Sequence, residues 1–138
     1  MAFADFRPHY LKVTDRAGNE LGQVRALNES DLSLLWQKHE DAMELVFQSV
    51  TSEGVSPDLM VGAAAVAAIK VAPDMVTDLI CLASGEPDWD ATFRAVSTMP
   101  VGMRLEILGA VLRLTAESEG GLEKLLGLFR LLRPRTDP

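Results

Sequence analysis

The sequence predicts a mostly α (α+β) fold, an N-terminal β-hairpin followed by about six packed helices. Three observations carry that reading. Residues 10–27 alternate with a period of two around a turn that contains Gly18. From residue 28 onward, apolar side chains recur at steps of three and four. Prolines, glycines and capping residues then cut this stretch into pieces of ordinary helix length.

The hairpin is expected over residues 8–27, "PHYLKVTDRAGNELGQVRAL". Tyr10, Lys12 and Thr14 would share one face, with Leu11 and Val13 on the other. Asp15 to Asn19 supply the turn, and Leu21, Gln23, Arg25 and Leu27 return against Gly22, Val24 and Ala26. A two-stranded hairpin is marginal alone and must pack on helices or another chain. Its edges could also pair with a second subunit.

Asn28 is the expected cap of a helix. Glu29 and Asp31 in its first turn face the free backbone N–H groups. Leu27 before the cap and Leu32 within the helix have the spacing of a hydrophobic staple. One continuous helix then sets Leu32, Leu35, Trp36, His39, Met43, Val46, Phe47 and Val50 on a single stripe. Gly54 ends it. Ser56 and Pro57 start a second helix running to about Ala72. Pro73 opens a third, "PDMVTDLICLAS", which stops at Ser84-Gly85. A short helix begins near Asp88, with Trp89 and Phe93 four apart. Thr98 to Pro100 start the next, whose apolar positions are Met103, Ile107, Ala110, Val111 and Leu114. Gly120-Gly121 is a break. The last helix places Leu122, Leu125, Leu126, Phe129 and Leu132 on one face, widened by Leu128 and Leu131. The expected organisation is a single domain over 1–133, hairpin at 8–27 and helical part at 28–133, with a flexible tail at 134–138.

Composition narrows the function. A chain of 138 residues with 48% hydrophobic and 24% charged residues has globular composition. A net charge of −7 argues against nucleic acid, because phosphate attraction needs a basic face. Cys81 is the single cysteine, so no internal disulfide can form and a reducing compartment is expected. In "DLICLAS" it reads as a small buried hydrophobe. The N-terminus "MAFADFRPHY" has no apolar core of a signal peptide. A cytoplasmic protein is expected.

Reaction chemistry is not visible. His9 and His39 are the two histidines, and with one cysteine they form no zinc pattern. His39, on the edge of an apolar stripe, reads as a partly buried packing residue. No G-x-S-x-G elbow, Walker A loop or G-x-G-x-x-G turn occurs. The acids of "EPDWD" at 86–90 open a helix and read as capping residues. Neither an enzyme, a cofactor nor a metal site is expected.

Two features exceed an ordinary core. From Leu59 to Ile69 the chain has no charge, yet a membrane span needs about twenty apolar residues. This alanine-rich helix is therefore suited to close packing, within the domain or between subunits. The last helix carries a wide apolar face with Lys124, Arg130, Arg133 and Arg135, and no acid from 124 to 136. Two readings of it stand side by side: a basic amphipathic face for a partner, or leucines packed inside the domain with arginines favouring a helix C-terminus. The residues proposed for partner binding or self-association are Met60, Val61, Ala64, Ala68, Met75, Leu125, Leu128, Phe129, Leu131 and Leu132.

The order of elements, with "VRALNESDLSLLWQKHED" after the hairpin, resembles the tail assembly chaperones (pre-tape-measure proteins) of long-tailed bacteriophages. Arg25-Ala26-Leu27 and Asn28 to Leu32 stand where that family has an arginine-hydrophobe-leucine turn and a capped helix. "PDMVTDLICLASGEPDW" is similar to its apolar helix and acidic loop, and "FRAVSTMPVGMRLEILGAVLRLTAES" to its later helix pair. The likeness covers most of residues 10 to 117, while "LLGLFRLLRPR" departs from the lysine-rich ends of the family. The resemblance implies a cytoplasmic chaperone of the bacterial host, absent from the mature virion. Its partners would be the tape measure protein, kept soluble, and the major tail protein, which it helps recruit. Neither nucleic acid nor a membrane is an implied partner. Homo-oligomers are compatible with it, and many such phages also make a longer, frameshifted form. In that setting Met60, Met75, Met99 and Met103 would offer adaptable contacts. The competing classes are an acidic bacterial secretion chaperone, which would be richer in strands, and a structural tail or head-completion protein.

Overall fold

The computed structural model describes residues 2–50 and 57–132. Ser56, Gly54 and the tail from 133 lie outside the described residues. After a 3-10 turn at Phe3–Asp5, strand β1 (Tyr10–Thr14) pairs antiparallel with β2 (Glu20–Arg25). Leu11 stands opposite Val24 and Val13 opposite Gly22, and a bulge after Val13 brings Thr14 opposite Glu20. The turn is built by Asp15, whose carboxylate accepts the N–H groups of Ala17 and Asn19 at 2.9 Å each. These bonds, that of Asn19 foremost, hold the Asp15 pKa below its ordinary value of 3.8. Val13 and Val24 are buried against the helices, while Leu11 stays exposed.

Seven α-helices follow among the described residues: α1 (Glu29–Lys38), α2 (Glu40–Val50), α3 (Pro57–Val71), α4 (Pro73–Ser84), α5 (Trp89–Ser97), α6 (Val101–Ser118) and α7 (Leu122–Leu132). The mostly helical class with an N-terminal hairpin holds. The turn into α1 is held by side chains on both sides. Asn28 accepts the Asp31 N–H while the Asp31 carboxylate accepts that of Asn28, a reciprocal cap. Arg25 donates to Asp31 at 2.6 Å, which raises the Arg25 pKa further. The Leu27 N–H reaches the buried Thr115 hydroxyl on α6 at 3.0 Å.

One expectation needs correction. The single helix read across 28–50 is two, separated at His39, whose backbone leaves the helical region (φ −132°, ψ 48°). No proline or glycine marks this place. The cause is tertiary: His39 Nε2 lies 2.6 Å from Asp78 Oδ2 on α4, and Lys38 Nζ lies 3.0 Å from the same oxygen. His39 is partly buried, as expected, and is in addition hydrogen-bonded to Asp78 across the core. Its carbonyl still accepts from Met43 and starts α2.

Helix α4 is the centre of the molecule. Met75 to Cys81 are buried without interruption, the polar Thr77 and Asp78 included. It packs against α1, α3, α5, α6 and β2. Leu32, Leu35 and Trp36 of α1, Ile107, Leu108 and Val111 of α6, and Val24 of β2 share its core. Gly85 ends α4 in the left-handed conformation (φ 65°), and a Cβ there would run into the Tyr10 hydroxyl. Arg104, also buried, donates from α6 to the Pro73 carbonyl at 2.9 Å and to Thr77 at 2.8 Å, tying α6 to the start of α4.

Cys81 is buried on α4, and burial, reinforced by the negative charge of Asp78, raises its pKa from 9.0 to about 11. The folded thiol therefore resists ionisation. Because the unfolded thiol ionises first, folding stability is unaffected by Cys81 below pH 9.0 and falls between 9.0 and about 11. The native protein at pH 8 should leave Cys81 unlabelled by iodoacetamide and react fully once denatured. Rapid native labelling would contradict this burial.

Candidate partner-binding groove

Between β2 and α5 runs an apolar groove of about 310 Å³. Its floor is continuous with the core: Val13, Val24, Ile80, Val96 and Ile107. On the α5 side Ala91 and Ala95, four residues apart and both exposed, present only methyl groups. Their spacing places them on one helix edge. Met99 closes one end with a flexible side chain, half-buried against the core.

The rim is acidic. Glu86 and Asp88 line it, and no lysine, arginine or histidine does. Both carboxylates are held by α5. The Asp88 side chain accepts the Ala91 N–H at 3.0 Å and caps the helix, as the sequence suggests. Thr92 Oγ1 sits 2.6 Å from Glu86 Oε2 and 2.8 Å from the Asp88 carbonyl, two acceptors that share its single proton. The edges of the groove are thus negative and fixed, and its interior is oily.

A second, wider cleft of about 660 Å³ lies between the N-terminal segment and the end of α6. Arg7, His9 and Arg25 line it together with Glu29, Glu117 and Glu119. With both signs of charge mixed, it has no single chemistry. The smaller groove does.

The sequence candidates are dispersed. Ala64, Ala68 and Met75 are buried, and the alanines of α3 serve its packing against α2, α4 and α6. Leu128 and Leu132 are half-buried against the core, whereas Leu131 is 84% exposed. The side chains of Met60, Val61, Leu125 and Phe129 lie outside the described ones. Of the four methionines singled out, Met99 reaches the groove and Met103 packs on the core. Ala91, Ala95, Glu86 and Asp88 were missed as a group. The available signal was two alanines four apart just after an acidic cap. Among the described residues no group of three or more His, Cys, Asp or Glu side chains could hold a metal ion, and no helix is long and apolar enough to cross a membrane.

A family model for the pre-tape measure protein matches residues 1–133. The chain belongs to the pre-tape measure protein family. No curated protein and no solved structure matches the chain. Family membership gives it a role in phage tail assembly and the biology of the tape measure protein.

Proposed function

We propose that this protein is a tail assembly chaperone. It binds the tape measure protein, keeps it soluble and helps recruit tail tube protein while the tail is built. It acts in the cytoplasm of the bacterial host and leaves before the virion is complete. The observation that carries the reading is the family match over residues 1–133. The physical means is cover. A long helical chain synthesised ahead of its assembly partners exposes apolar stripes that aggregate. An apolar groove shields such a stripe, and a net charge of −7 on the chaperone keeps the pair in solution.

The test is co-expression of the tape measure protein with and without this chain. The expected result is transfer of the tape measure protein from the pellet to the supernatant, with both chains eluting together from a sizing column. An unchanged pellet would defeat the reading. Recovery of this chain from purified virions would instead support a structural component.

A further inference from the structure

The groove has a chemistry that selects its occupant, and this inference rests on the chaperone reading above. Val24, Ile80 and Val96 seal the floor, and the apolar surface open to an occupant is that of Leu21, Ala91, Ala95 and Met99. The methyl groups of Ala91 and Ala95 let a second backbone come close to α5. An occupant seated there meets Glu86 on one rim position and Asp88 on another, with no cation among the lining residues to neutralise either. An extended strand would use backbone hydrogen bonds along β2 and leave the two carboxylates unread. A helix presents apolar residues to this surface and flanking side chains to the rim at the same time. Charge complementarity then requires those flanking side chains to be lysine or arginine.

We propose that the groove between β2 and α5 docks a basic amphipathic helix of the tape measure protein. Its apolar residues lie on Leu21, Ala91, Ala95 and Met99, and its cations face Glu86 and Asp88. The rim discriminates among helices that the apolar surface alone would accept equally.

The probe is a labelled model peptide with leucines at i, i+3, i+4 and i+7 and lysines elsewhere, titrated into the intact protein by anisotropy. Its partners are the glutamate counterpart and a version interrupted by proline. The lysine helix should bind at least about tenfold tighter than either. Ala91→Trp and Ala95→Trp fill the groove from exposed positions and leave the charge unchanged, so each should cost about tenfold. Glu86→Gln with Asp88→Asn retains the side-chain shapes and the helix cap, and should erase the preference for lysine. Equal binding of the lysine and glutamate peptides overturns the proposal. So does binding that survives both tryptophans, which would report attraction to net charge alone. A rise in the protein's own mass with concentration, abolished by Ala95→Trp, would make a second copy the occupant and also overturn it. Co-expression separates the two readings. If the tryptophan variants still solubilise the tape measure protein, the chaperone stands and the groove assignment falls. If the unaltered chain fails as well, the underlying function falls.

Discussion

Asp78→Ala is expected to lower the unfolding free energy by about 1–3 kcal/mol, the cost of leaving a buried hydrogen-bonding partner unsatisfied. Asp78 is 3% exposed on the central helix α4, and its Oδ2 receives both His39 at 2.6 Å and Lys38 at 3.0 Å. Its other oxygen, Oδ1, has no hydrogen-bond partner among the described residues. The carboxylate is therefore desolvated with only half of its bonding capacity met. That is costly when paired, and removing it strands a half-buried imidazole. The double variant His39→Leu/Asp78→Leu should recover most of the loss, since apolar side chains can replace a buried pair at little cost. Urea unfolding at constant slope measures both. A loss below about 1 kcal/mol, or a double variant no better than the single one, would show that the pair does not hold α1 and α2 in place.

Trp36→Ala is the second large effect, about 3–5 kcal/mol from lost burial and the cavity left behind. Trp36 is 1% exposed and packs in the cluster shared by α1, α4 and α6. Against an ordinary domain stability of about 5–15 kcal/mol, the variant would be near the edge of folding. Trp36→Phe should be far milder. The indole Nε1 has no acceptor among the described residues, so losing it breaks no hydrogen bond and removes an unsatisfied donor. Thermal melts of the two variants decide the matter. Equal losses would mean that a phenyl ring restores none of the packing lost with the indole.

Most boundaries of the fold were legible because they are local. Asn28, Pro73, Gly85 and Asp88 each act on the turn in which they stand, and the structure starts or ends helices beside all four. The break at His39 was hidden because its cause sits on α4, in Asp78. Arg104 and Thr115 were hidden for a similar reason: each is polar, buried, and bonded to an element distant in sequence. The groove needed the most from three dimensions. Its walls come from both strands and from α4, α5 and α6, and its two key alanines look like filler when read in line. Periodicity marks the faces that turn inward. It does not mark which gap between two inward faces stays open.

The contact between Tyr10 and Gly85 gives these two positions a joint fate. The hairpin rests on the end of α4 through a phenol seated where any larger residue would carry its Cβ. Position 85 also leads directly into the rim at Glu86 and Asp88. A methyl group at 85 would force the Tyr10 phenol to turn away, and the left-handed backbone there (φ 65°) would be strained as well. Drift at one site is thus tied to drift at the other, although they stand on different elements and neither reads a partner.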